Sequence, residues 1–355
     1  MRQKLVLLML HLALAIGCGG TVPQDSLPAG GPVLDICQYQ GEWLWAERLD
    51  RSHQRPEYRM RTPADFSLPS KKRIPAASLR SDGDNLFVAI HRAPLENCVQ
   101  TYSSLERVRE SSPDDIHQLK GDGLGTFGVL HVVDSGTWVL AQRTYMSFGG
   151  PMYRSPAWEA TSIPLLDSLL TRFADAFPKT NCYSLACAAS PSACFFASIT
   201  TSSKDGNGVL YVDQNQEEFL LTGLEEAPQL CMSPDGLKCA ALMSTEVVLF
   251  NCQTLKTGWS HDVVLPEDFH SYNEPRRLDF APDGSVLAVT TIDDLVVLDC
   301  RSGDVCDQIS LKSATAVAFS TDQSQLAVGS WSKADGFRVL IYDWDSSQRK
   351  FAPGD

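Results

Sequence analysis

Apolar residues along this chain come in short runs bounded by Gly, Pro, Asp, Asn and Ser, and in the C-terminal half the pattern repeats. One unit reads Arg277-Leu278-Asp279-Phe280, then Ala281-Pro282-Asp283-Gly284, then Ser285-Val286-Leu287-Ala288-Val289, then Leu295-Val296-Val297-Leu298-Asp299. The next reads Ala316-Val317-Ala318-Phe319, Ser320-Thr321-Asp322-Gln323, Ser324-Gln325-Leu326-Ala327-Val328 and finally Arg338-Val339-Leu340-Ile341-Tyr342-Asp343. The preceding unit carries Ser233-Pro234-Asp235-Gly236 and Val247-Val248-Leu249-Phe250-Asn251. Short β-rich runs separated by turn signals predict strands rather than helices. Proline suits the second position of such turns, and glycine accepts the positive φ that follows. Each unit is therefore a strand, a Pro-Asp-Gly-like turn, a second strand, a polar turn, and a third strand ending in Asp or Asn.

Weaker copies extend upstream. Turn positions fall at Gly41, Gly83, Gly136, Ser192, Gly236, Gly284 and Gln323, spaced by 39 to 56 residues with a mean of 47. A repeat of this length is one supersecondary unit that buries its faces only against its neighbours. The pattern resembles the WD40-like and YVTN-type β-propeller repeats. That resemblance implies an all-β fold: a single β-propeller over residues 33–355, clearest over 182–345, with seven blades of four antiparallel strands. It assigns Asp235, Gly236, Asp283, Gly284 and Asp322 to blade-shaping turns. Asp213, Asn251, Asp299 and Asp343 become the blade-end residues. The family's terminal Trp-Asp is replaced here by Val212-Asp213, Phe250-Asn251, Leu298-Asp299 and Tyr342-Asp343, and no Gly-His precedes a unit, so its side-chain network does not carry over. Closing such a ring needs a strand from one terminus to complete a blade begun at the other. The segment from Val33 and Arg349-Lys350-Phe351 are the candidates. Leu165, Leu166, Leu169, Leu170, Phe173 and Phe177 recur at helical spacing and predict a short helical insertion near 163–177.

The N-terminus follows a different pattern. Arg2 and Lys4 precede twelve residues, 5–16, that are apolar except for His11. Twelve is too short to span a bilayer as a helix, which needs about 20, but suits the core of an export signal. The run ends in Leu14-Ala15-Ile16-Gly17-Cys18, which resembles the lipobox of bacterial lipoproteins. The resemblance implies cleavage after residue 17 and a lipid on Cys18. It also implies a flexible tether over 18–32 and a periplasm-facing site, on the outer membrane because no acidic residue stands directly after Cys18. An ordinary secretory signal is the alternative.

Composition narrows the function. With 43 acidic and 30 basic side chains the net charge is −13, which argues against a nucleic-acid partner and against a basic membrane-binding patch. Setting Cys18 aside leaves ten of eleven cysteines, an even number in a chain expected to enter an oxidising compartment. A hairpin turning on Pro-Asp-Gly sets Cys231 opposite Cys239, and Cys300 and Cys306 flank a second hairpin tip, so both pairs are candidate disulfides. The alternative is buried free thiols. Gly123-Leu124-Gly125-Thr126-Phe127-Gly128 spells a dinucleotide-binding motif, but a strand follows it where that motif needs a helix. No nucleophile elbow and no phosphate-binding loop occur. No cofactor, catalytic residue or metal ligand is assigned. Trp259, Trp331 and Trp344 read as packing between blades. Two functions lead, with carbohydrate or peptidoglycan binding allowed by the tryptophans but not indicated: an envelope interaction platform with an unidentified protein partner, or a lactonase-like propeller hydrolase with a metal in its central channel. Apolar Leu230, Leu278 and Val317 on the inner strands disfavour the second.

Overall fold

The computed structural model describes residues 21–48, 58–63, 76–92, 96–118, 125–133, 138–145, 157–160, 181–188, 194–200, 207–213, 218–224, 228–254, 256–265 and 275–352. Cys18 and the helix expected near 163–177 lie outside the described residues. Among the described residues there are seven antiparallel sheets, arranged in chain order. Blade 1 is Val33–Tyr39, Glu42–Arg48 and Tyr58–Arg61. Blade 2 is Ala76–Ser81, Leu86–Arg92, Glu96–Tyr102 and Asp115–Gln118. Blade 3 is Gly125–Val133, Trp138–Tyr145 and Ala157–Ala160. Blade 4 is Asn181–Ala188, Cys194–Thr200, Asn207–Asp213 and Glu218–Leu224. Blade 5 is Gln229–Met232, Lys238–Leu242, Glu246–Asn251 and Thr257–Asp262. Blade 6 is Leu278–Phe280, Val286–Thr290, Asp294–Asp299 and Val305–Ser310. Blade 7 is Val317–Phe319, Gln325–Ser332 and Gly336–Asp345, with Asp25–Ala29 as its outer strand.

The first strand of each blade touches the first strand of the next, and blade 7 touches blade 1, so the ring closes. The fold is a seven-bladed β-propeller. Its apolar cores lie between blades, as expected of units that cannot bury their faces alone. Tyr39, Leu44, Leu86 and Tyr102 fill the space between blades 1 and 2. Leu249, Trp259, Phe280 and Leu298 do so between blades 5 and 6. Val297, Phe319, Tyr342 and Trp344 pack between blades 6 and 7, and Ile36, Trp45, Ala318 and Ile341 between blades 7 and 1.

Closure differs from the sequence expectation in which segment performs it. Asp25–Ala29 pairs antiparallel with Gly336–Asp345, setting Ser26 opposite Leu340 and Leu27 opposite Val339. This strand lies inside the segment read as a tether, whose Gly- and Pro-rich composition hid it. Val33 instead begins the inner strand of blade 1. The C-terminal Lys350–Phe351 makes a short pairing with Trp344 and Asp345. It reaches across to blade 6, where the Phe351 amide donates to Asp307 Oδ2 at 2.8 Å and Arg349 pairs with Asp299. A short helix not anticipated from sequence, Leu105–Glu110, is capped by Ser104 and follows the third strand of blade 2.

Candidate functional site

The repeat turns build one end of the ring. Ser233 Oγ donates to Asp235 Oδ1 at 2.6 Å, and Lys238 N donates to Ser233 Oγ at 2.9 Å. Blade 7 repeats this with Ser320 Oγ donating to Asp322 Oδ1 and Gln325 N to Ser320 Oγ. In blade 6 the serine is Ala281, while Asp283 Oδ1 still accepts from Ser285 N. Every predicted turn position that is described has left-handed backbone: Gly41, Gly83, Gly236, Gly284 and, without glycine, Gln323 at φ 60. Adjacent turns are tied together, since Lys238 Nζ donates to Gly284 O at 3.1 Å and Thr321 N to Gln38 Oε1 at 3.1 Å.

At the blade ends, Asn251 Oδ1 accepts from the amides of Gln253 and Thr254, and Asp299 Oδ1 from those of Arg301 and Ser302. Asp213 closes its strand opposite Cys194. Asp343 occupies the matching register opposite Gln325, but does not hold the turn. The third strand of blade 7 runs two residues further, and Asp345 accepts from Ser347 N and Gln348 N. The Trp344-Asp345 dipeptide, overlooked beside Tyr342-Asp343, is the turn-holding pair.

The cysteine pairings are corrected by register. Met232, not Cys231, lies opposite Cys239, and Cys231 lies opposite Ala240. The turn between them holds Ser233 against Lys238 rather than Leu237. A one-residue slip sends the two thiols to opposite faces of the sheet. Cys300 packs into the core between blades 5 and 6, and Cys306 against the core between blades 6 and 7. All four are free thiols.

A buried ionic cluster joins the innermost strands at the seam and was not anticipated. Asp35 is 3% exposed. Its Oδ2 accepts from Ser78 Oγ (2.6 Å), Leu79 N (2.9 Å) and Arg80 Nη1 (2.9 Å), and its Oδ1 accepts from Arg276 Nε at 2.7 Å. Arg276 Nη1 donates to Asp279 Oδ1 at 2.8 Å, and Asp279 Oδ2 accepts from Phe319 N at 2.8 Å. Blades 1, 2, 6 and 7 are thus held by two carboxylates and two guanidinium groups. Burial pushes the Asp35 pKa up, but the charges of Arg80 and Arg276 outweigh it and hold the group below its usual value. For Asp279 burial wins over Arg276, and the pKa is raised. Cys37 and Cys231 beside them are pushed up to about 12, chiefly by burial, so neither is a ready nucleophile. Sequence reading missed the cluster because its members are far apart in the chain. Both carboxylates are engaged by arginine, and among the described residues no group of three His, Cys, Asp or Glu is arranged to hold a metal.

The other end of the ring differs in character. There the second-to-third-strand turns meet the connectors between blades, as where Leu311 N donates to Asp293 O at 2.7 Å. Val264 is 67% exposed, Ile292 39% and Trp331 40%. They sit on blades 5, 6 and 7, and Ile292 N donates to Val264 O at 3.1 Å. Trp259 and Trp344, 9% and 4% exposed, pack between blades as expected, whereas Trp331 does not. Beside Trp331 a cleft of about 390 Å³ opens between blade 7 and the connector leaving blade 6.

No protein-family model matches the sequence, and no curated protein does. Solved structures do. The chain is similar to the β-propeller domain of Cps50 (Swd1) from Myceliophteria thermophila, with a TM-score of 0.56 at 9% identity, covering 92% of this chain and 100% of that one. It also matches Hsv2 from Kluyveromyces lactis, with a TM-score of 0.43 at 11% identity over 87% of this chain and 97% of that one. The first likeness supports the propeller fold; at such identities function does not transfer.

Proposed function

We propose that this protein is a lipid-anchored propeller of the bacterial envelope that serves as a non-enzymatic protein–protein interaction platform. The observation that carries the reading is the run of exposed apolar side chains, Val264, Ile292 and Trp331, on three successive blades at one end of a closed ring. Grouped apolar exposure on a soluble surface marks contact sites, where scattered single residues do not. The anchor rests on the lipobox-like ending at Cys18. The chain joins blade 7 at the opposite end of the ring, where Gln24 N donates to Ile341 O and Gln325 Nε2 to Gln24 Oε1. Attachment at Cys18 would leave about six residues, roughly 20 Å when extended, between the lipid and blade 7.

Mild cross-linking of envelope membranes, with the full chain beside Cys18→Ala and a Val264→Ser/Ile292→Ser/Trp331→Ala variant, tests this. A stoichiometric protein partner captured by the parent and lost with the triple variant supports the reading. Capture unaffected by the triple variant, or no partner at all, overturns it. Retention of Cys18→Ala in the membrane fraction would remove the lipid anchor from the proposal.

A further inference from the structure

We infer that the cleft beside Trp331 binds an acidic, apolar-flanked segment of a protein partner, an inference that rests on the interaction-platform reading above. Its walls combine two cations with apolar surface: Lys312 and Arg338, then Leu311, Trp331 and Leu340, with Asp335 at the rim. Arg338 spends Nη1 on Ser26 Oγ at 2.9 Å. Its Nη2 lies 3.9 Å from Asp335 Oδ1, an ion pair beyond hydrogen-bond length, and its Nε is buried with no acceptor among the described residues. The Nη2 edge of the guanidinium offers a carboxylate a charge-assisted bond. Asp335 does not serve that edge, because its carboxylate accepts from Ser332 Oγ at 3.0 Å, closing the hairpin tip. Lys312 is exposed at the connector and makes no ion pair or hydrogen bond among the described residues.

In a chain of net charge −13, a cleft with two cations against one carboxylate selects an anionic group. The apolar walls select what carries it. Trp331, which packs against Phe337 at 6.3 Å ring to ring, gives the cleft a broad aromatic wall with few rotamers to freeze on binding. The connector bearing Lys312 is tied to the exposed apolar strip, since Ser313 N donates to Ile292 O at 2.9 Å. A peptide with its carboxylate on Arg338 continues naturally over Ile292 and Val264. A small sugar acid has no such continuation.

The test is selection of displayed random dodecapeptides on the wild-type ring, with counter-selection on Lys312→Glu. The enriched peptides are then titrated against Trp331→Ala, Lys312→Glu and Arg338→Ala, each first checked by thermal melting. Lys312→Glu is the decisive variant because Lys312 supports no other group, whereas Arg338→Ala also frees Ser26. Expected are peptides with Asp or Glu next to apolar residues, and at least tenfold weaker binding to each variant. Binding to Lys312→Glu should be restored when the acidic residue becomes Lys. Peptides without acidic residues, no enrichment, or equal binding to Lys312→Glu overturn the inference, as does saturable competition by a glucuronate oligosaccharide that binds more tightly than any peptide. An envelope partner captured equally by wild type and by Lys312→Glu leaves the platform standing and removes this cleft from it.

Discussion

Asp35 shows how one side chain can govern a ring. Two guanidinium groups, a hydroxyl and a backbone amide converge on it in a place where water does not reach. Replacing it with Asn leaves Arg80 and Arg276 buried against a neutral amide. Breaking a buried pair from one side typically costs about 3–5 kcal/mol, and urea unfolding of Asp35→Asn should show a loss of that size. The pH dependence follows from the lowered pKa. A carboxylate whose folded pKa is depressed contributes stability above its unfolded value of 3.8, and that contribution is lost as pH falls through the folded value. Asp279, with its pKa raised, works in the opposite sense and partly offsets the loss. Stability of the parent should therefore drop as the pH is lowered from about 5 through 3.8 and below, with a shallower drop in Asp35→Asn. An equal slope in both would remove Asp35 from the acid response. Gly329 is a second sensitive residue: an added Cβ would collide with the Thr315 hydroxyl and stand 2.7 Å from Val33 Cβ across the seam. Gly329→Ala should cost about 1–3 kcal/mol by overpacking, read as a shift of the unfolding midpoint at constant slope.

The repeated turn lets the elements be compared with one another. Ser233 and Ser320 each give to and take from their own turn, and blade 6 manages with Ala281 in the same place. Ser320→Ala should therefore cost only about 1 kcal/mol, the net worth of an ordinary intramolecular hydrogen bond. A loss above about 3 kcal/mol by chemical denaturation would mean that the turn hydroxyl carries more than local bonding. These elements were legible in the sequence because turn chemistry is local: Pro-Asp-Gly names its own φ. The hairpin register was not legible, since Ser233 captures Lys238 through its hydroxyl and lengthens the turn by a residue, which separates Cys231 from Cys239. Asp343 was misread for a related reason. Its strand continues to Asp345, and only the pairing with Lys350–Phe351 reveals that extension.

For the whole molecule, the ring could be read from the repeat together with its resemblance to propeller repeats, because a regular spacing of turns is a global property written locally. The closing strand could not. Asp25-Ser26-Leu27-Pro28-Ala29 carries a proline and sits between glycine-rich stretches, so nothing local marks it as a strand; only the open edge of Gly336–Asp345 makes it one. The ionic cluster was hidden likewise, its members on strands some 240 residues apart, as with Arg276 and Asp35. Removing residues through Ala29 should leave that edge unpaired, a geometry prone to pairing with another chain. Size-exclusion chromatography with light scattering should then show dimers or larger species, together with a lowered melting temperature. A monomer with an unchanged melting temperature would show that Lys350–Phe351 and the core between blades 7 and 1 suffice.

The origin of that strand also sets a timetable. Residues 25–29 are among the first of the described chain to be made, yet their partners, Phe337 to Ile341, are nearly the last. During synthesis the N-terminal strand must wait, unpaired, while six blades are translated. The ring can lock only once residues 337–341 have left the ribosome. Folding from such distant pairings is slow, and the interval before locking is when the chain is open to proteases and chaperones.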